Sequence, residues 1–565
     1  MANETPRDSG LVIPENEHAI DASNQMSSAS SSTVSAQDPD KDFTLGTRGT
    51  LIFVILAVLT LMAALDGTSI SVALPIISKE LNGTAIEAFW SGTSFLLSST
   101  VFQPSFASFS NIFGRRPVIL VAIALFLAGA IISGVCSDFT HLLVGRSIQG
   151  IGGGGIIALT EVVVTDIVPL GTAASTLVFS AACGLLDQSL APFWAARSHK
   201  MSLGFRWIFY INFPFIGVGV VMVLVFMKLN MIPSSLMEKL RRVDYIGTFI
   251  FVASVTSFLI PLTWGGVSYP WSSWHTLVLL IIGFAGLCFF GYYEHRWAVY
   301  PVIPPSIFNN KTATVSFIGS TLQGLVLWCT LYYLPLYYEA VKGYSPILSG
   351  VALFPETFTV APSAMAVGII SSKTGSYRWA IWLGWAFSTI GCGIMCLIKV
   401  STSVPGWVFL NLVAGLGLGF LFPSLGFAIQ ASSTNENLAT AVAMFSFFRA
   451  LGQALGVAVG GAIFQNRMYQ NLLKYPEFFS LASEYSADSA GLVQIIKGMP
   501  DGIHKLHLRE AYTDSLRIVW AVCCGVSFLG LLLSFLTKAY DLNQALVATQ
   551  GLQTEKDAPT EEKLS

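Results

Sequence analysis

Two glycine-rich stretches, Arg146-Ser147-Ile148-Gln149-Gly150-Ile151-Gly152-Gly153-Gly154 and Asn411-Leu412-Val413-Ala414-Gly415-Leu416-Gly417-Leu418-Gly419, decide how this chain is read. Each lies inside a long apolar run, and in each a polar residue stands four positions before glycines spaced two apart. The second repeats the first at an offset of 265 residues. A second pair agrees within four residues: the turn Asn111-Ile112-Phe113-Gly114-Arg115-Arg116 is similar to Lys373-Thr374-Gly375-Ser376-Tyr377-Arg378, and aligning Gly114 with Gly375 gives an offset of 261. Chance matching in Gly-rich helices is the competing explanation. Two concordant offsets favour a chain built from two related halves, and parallel halves meeting at a central site are one architecture of secondary transporters.

Composition places both halves in lipid. Of 565 residues, 53% are A/V/I/L/M/F/W/Y/C and 11% are D/E/K/R; an ordinary soluble surface needs about 25% charged residues. The net charge of −2 removes any nucleic-acid binder driven by bulk positive charge. With roughly 20 apolar residues per crossing, fourteen runs between residues 50–74 and 516–537 read as transmembrane helices. The expected fold is an all-α polytopic membrane protein of fourteen spans. It divides into a disordered tail (1–46), a six-helix half (47–228), two extra central helices with a linker (229–300), a second six-helix half (301–538) and a second disordered tail (539–565). No cleavable signal peptide is visible, so the first helix acts as the signal.

Lys and Arg set the orientation. Arg115, Arg116, Lys239, Arg241, Arg242, Lys311, Lys373 and Arg378 fall in connections that are cytoplasmic if both termini are cytoplasmic. Arg197, Lys200 and Arg206 break the pattern, after a fifth run already interrupted by Asp187 and Gln188. All eight cysteines lie in apolar runs with no zinc or disulfide spacing, so no metal or other cofactor is expected. Gly150-Ile151-Gly152-Gly153-Gly154-Gly155 satisfies G-x-G-x-x-G but follows no strand, and close helix packing explains it better than a dinucleotide. No G-x-x-x-x-G-K-[ST] loop is present, and the chain reads as no enzyme.

Ionisable side chains at membrane depth cost at least about 2.5–3.5 kcal/mol on insertion scales and need a partner or a wet cavity. Asp66 lies deep in the first run, and Arg146 on the fourth is its natural counter-charge. A carboxylate that alternately holds and releases such a partner can take up and give back a proton; a fixed structural ion pair is the alternative. Glu356 and Glu161 are further carboxylate candidates, or interfacial groups reaching water. Cavity polarity is expected from Gln149, Gln323 and Asn411, and aromatic contact from Trp328, Tyr332 and Tyr333, which could equally face lipid or core. Arg449 and Gln453 share a glycine-spaced helix, where close packing is the default reading and a cavity contact the lesser one.

The residues also resemble a known family, the major facilitator superfamily, and in particular its fungal fourteen-span drug:proton antiporter branch. Leu65-Asp66-Gly67-Thr68-Ser69-Ile70-Ser71-Val72-Ala73-Leu74-Pro75 is similar to the first-helix signature L-D-x-T-I-V-x-V-A-L-P. The run Leu142 to Gly154 resembles L-x-x-x-R-x-x-Q-G-x-G, and Arg206 to Pro214 resembles R-W-I-F-x-I-N-x-P. The loop holding Asn111, Gly114, Arg115 and Arg116 resembles the gating motif G-x-L-x-D-x-x-G-R-R, with Asn111 in place of its aspartate. The resemblance implies export of small organic molecules, drugs or toxins, by proton antiport and alternating access. It also implies a monomer in the plasma membrane, with the vacuolar membrane as the alternative. A proton-coupled importer, for example of siderophores, uses the same fold. A transport-impaired paralogue is the third reading, because Phe193 and Trp194 stand where the fifth helix of antiporters has small residues. Asn82-Gly83-Thr84 is a glycosylation sequon close to the membrane.

Overall fold

The computed structural model describes residues 46–81, 85–168, 204–227, 229, 235–265, 269–487 and 489–542. The predicted fifth run (172–195), residues 1–45 and 543–565 of the predicted tails, and the Asn82 sequon lie outside the described residues.

Among the described residues, thirteen long helices follow one another: α1 (Thr47–Glu80), α2 (Ala85–Phe113), α3 (Arg115–Gly134), α4 (Phe139–Ile167), α5 (Trp207–Phe226, with a turn at Ile211), α6 (Tyr245–Trp264), α7 (Trp274–Arg296), α8 (Lys311–Ala340), α9 (Phe354–Thr374), α10 (Arg378–Met395), α11 (Val404–Ser432), α12 (Leu438–Leu472) and α13 (Ile503–Ser534). Ten of them are long and apolar enough to cross a membrane, which makes this a multi-pass membrane protein. Helix suits that setting because it satisfies every backbone N–H and C=O within the segment. Starts are marked locally: the Asp138, Asp244 and Asn310 side chains accept from the backbone N–H of His141, Gly247 and Thr312. Pro355 stands in the first turn of α9, just past the short helix Pro346–Ala352, so the predicted run 348–370 is two helical segments broken at Leu353.

The repeated glycines do the same job twice. A Cβ at Gly150 or Gly154 would come closer than 3.0 Å to the α2 backbone at Phe95 or Ser99, and one at Gly152 would meet α3 at Ala122 and Phe126. In the other half, a Cβ at Gly415 or Gly419 would strike α9 at Glu356 or Val360, and one at Gly417 would strike α10 at Ser388. Helix α4 therefore packs on α2 and α3 as α11 packs on α9 and α10, at distances only glycine permits. The aligned turn glycines match too: Gly114 and Gly375 both have positive φ, 98° and 65°.

The halves meet through α12, which lies against α2 and α4. At the end of the bundle that carries Arg115, Ala107, Val162 and Ala443 form one buried cluster, and Asn111 Nδ2 donates to Thr440 Oγ1 at 3.3 Å. The pair α6–α7 leans on α2 and α12, with Phe251 against Phe447 at 5.5 Å between centroids. Between α12 and α13, two short helices, Ala482–Ala487 and Ser489–Gly498, seat Leu492, Val493 and Ile496 in the core of the second half.

Candidate substrate cavity and buried charge network

Asp66 is 1% exposed and Arg146 0%, so each charge is tolerable only through the other and through further hydrogen bonds. Arg146 Nη1 donates to Asp66 Oδ2. Asp66 Oδ1 accepts from Gln149 Nε2 at 2.9 Å and from Asn212 Nδ2 at 2.8 Å. Arg146 also donates to Gln149 Oε1 (2.9 Å) and, through Nε, to the Ser91 carbonyl (3.0 Å). Its guanidinium lies 4.4 Å from the Phe95 ring centroid. Helices α1, α4 and α5 thus meet at one carboxylate, and α2 holds its cation through the Ser91 carbonyl. Of these residues Asn212 was not singled out from sequence, although it sits in the R-W-I-F-x-I-N-x-P stretch: an Asn beside a helical proline is a poor signal without its partner.

By the 265-residue offset, Arg146 corresponds to Asn411, Ser91 to Glu356, and Asp66 falls beside Thr330. The second half holds a different arrangement there. Thr330 Oγ1 donates to Glu356 Oε1 at 2.7 Å, and Glu356 Oε2 has no hydrogen-bond partner among the described residues. Asn411 donates to Tyr338 Oη. One half carries a carboxylate bound to a cation, and the other a carboxylate held by a hydroxyl.

Between the halves lies a cavity of about 1430 Å³ of empty space, its open mouth included. From the first half it is lined by Thr60, Gln103, Thr160 and Glu161, and from the second by Gln323, Trp328, Gln430, Arg449 and Gln453. Phe95, Phe422 and Phe445 supply much of the apolar wall. Phe95 also covers Arg146, so the Asp66 network stands one side chain behind the wall. Arg449 reaches across the halves to Glu161 at 3.3 Å. Of the residues expected in a cavity, Gln323, Trp328 and Arg449 line it. Gln149 and Asn411 are bound into the two interior clusters instead, and Tyr333 donates to the Val457 carbonyl at 2.9 Å in the α8–α12 seam.

The loop residues form a third cluster. Arg115 Nε donates to Asp166 Oδ2 at 2.8 Å, and its Nη1 donates to Ser110 Oγ (2.6 Å) and Asn111 Oδ1 (2.5 Å). Arg116 donates to the Leu224 carbonyl at 2.7 Å. The acid missing at Asn111 is thus supplied to Arg115 from the end of α4, which the loop sequence alone does not disclose.

Two pseudo-repeated helical halves closing on a central cavity, with a saturated ion pair behind its wall, are the framework of a membrane transporter. The Major Facilitator Superfamily model matches residues 56–457, and the chain belongs to that superfamily, whose members are transporters and not enzymes. It is 48% identical over 548 residues to MFS transporter L2 of Phoma sp., covering 97% of this chain and 91% of that protein. It is 36% identical to the MFS-type efflux pump LUC4 of Fusarium sp., covering 91% of this chain and 92% of that protein. Among solved structures, the proton:xylose symporter XylE shares the fold at a TM-score of 0.55 and 13% identity, covering 88% of this chain and 98% of that one.

Proposed function

We propose that this protein is a proton-driven exporter of small organic molecules. It works as a monomer in the plasma membrane, with fourteen spans and both termini in the cytosol. The observation that carries the reading is the Asp66–Arg146–Gln149–Asn212 network set against the wall of an interhalf cavity. A carboxylate bound by one cation and two amides is stable when ionised. Loss of any of these partners as α1, α4 and α5 shift would leave it seeking a proton, which couples proton movement to shape. With the termini inside, the Arg115 end is the cytoplasmic end, and contact between the halves there seals the cavity from the cytosol. Export as the direction draws on the fungal relatives named as efflux pumps, LUC4 among them.

In cells overexpressing the protein and loaded with a fluorescent aromatic dye, efflux above the background of untransformed cells should vanish on adding a protonophore. Persistence of efflux would sink proton antiport. Asp66→Asn should reach the membrane in normal amount yet lose gradient-driven efflux, whereas full activity in that variant would remove Asp66 from the mechanism.

A further inference from the structure

Arg449 and Glu161 form an ion pair, at 3.3 Å, between α12 of one half and α4 of the other, and both line the cavity. They are not held equally. The Arg449 guanidinium lies 4.4 Å from the Phe422 centroid and 5.4 Å from that of Phe445, so aromatic faces on its own half keep it in place whatever Glu161 does. Glu161 has Arg449 as its charged partner, with Ser446 beside it. Each also has an unused group: Arg449 Nη1 and Glu161 Oε2 are buried with no hydrogen bond among the described residues. A guanidinium with a free donor, held against two adjoining aromatic rings and facing an apolar space, fits a planar anion on an aromatic body.

We infer that the cavity takes organic anions, a carboxylate or ionised enol joined to an aromatic or apolar body, with Arg449 as their anchor and Glu161 as a tethered competitor that expels them. The inference rests on the export reading for its two alternating arrangements. When the halves part at the Arg115 end, Glu161 leaves with α4, and Arg449 stands open to an anion from that side. When they close, as here, the Glu161 carboxylate returns to Arg449 and displaces the ligand toward the other side. The other polar side chains lining the cavity, from Thr60 on α1 and Gln103 on α2 to Gln323 on α8, Gln430 on α11 and Gln453 on α12, carry no charge. Asp166, farther along α4, is bound to Arg115.

The test is equilibrium binding to purified protein in nanodiscs at pH 7, read by quenching of tryptophan fluorescence, with 1-naphthoate and its neutral analogue 1-naphthamide as probes. Wild-type protein should prefer naphthoate. Glu161→Gln should tighten naphthoate about tenfold and leave naphthamide unchanged, while Arg449→Gln erases the preference by a similar factor. Arg449→Lys should retain part of it and guards against a folding defect in the glutamine variant. In dye-loaded cells Glu161→Gln should slow efflux, because the ligand is no longer displaced. Naphthoate bound no better than naphthamide, or unaffected by Glu161→Gln, overturns the inference. Preference for 1-naphthylmethylammonium, enhanced by Arg449→Gln, also overturns it and assigns the site to cations through Glu161. Binding does not depend on a gradient, so failure of the protonophore experiment is read separately.

Discussion

At the scale of single residues, charge in this protein is meaningful only in company. Arg115 is 2% exposed, and a guanidinium so placed must be answered by an acid, yet the loop sequence offers Asn111. The acid is Asp166, 51 positions along the chain, at 2.8 Å. Removing a buried counter-charge costs about 3–5 kcal/mol, whereas losing a neutral acceptor costs about 1 kcal/mol. Asp166→Asn should therefore lower the thermal unfolding midpoint of the purified protein far more than Asn111→Ala. Equal shifts would show that Arg115 reaches solvent. Asp66 and Arg146 were legible as a pair because both are charges stranded in apolar runs. Asn212 and Asp166 were not: the first is neutral, and the second sits at a run's end, where an acid needs no special explanation.

At the scale of helices, spacing carried most of the information. Glycines two apart below Arg146 and Asn411 announced two equivalent helices, and the structure gives the spacing its meaning: alternate glycines face different neighbours, α2 and α3 in one half, α9 and α10 in the other. Gly154→Ala and Gly419→Ala should each destabilise the protein by about 1–3 kcal/mol through overpacking. Gly217→Ala on α5, where a Cβ meets nothing within 4 Å, is the control and should shift thermal unfolding little. Equal effects at all three would dissolve the packing argument. The same periodicity could not reveal the helices Ala482–Ala487 and Ser489–Gly498. Each is too short to register as a span, and their apolar residues, Leu492, Val493 and Ile496, are buried against the second half and not in lipid. Nor could apolar runs locate the break at Leu353, which comes from Pro355 inside a stretch of unchanged hydropathy.

At the scale of the molecule, the two halves are alike in framework and unlike in charge. One half holds Asp66 with Arg146, while in the other the positions matching Asp66 and Ser91 hold Thr330 with Glu356 and the position matching Arg146 holds Asn411. Among the described residues, the halves touch at the Arg115 end through Ala107, Val162 and Ala443 and the Asn111–Thr440 hydrogen bond. These are small or neutral groups that can separate without stranding a charge, as a seam that opens once per cycle requires. Tying it shut should stop transport while leaving the fold intact. In a background with the native cysteines replaced, Asn111→Cys with Thr440→Cys can be bridged by a short bis-methanethiosulfonate reagent. Linkage should bring dye efflux to background, and dithiothreitol should restore it. Either single cysteine variant should be indifferent to the reagent. Undiminished efflux in fully linked protein would mean that the halves do not part at this end, and the alternating cycle proposed for this cavity would fall with it.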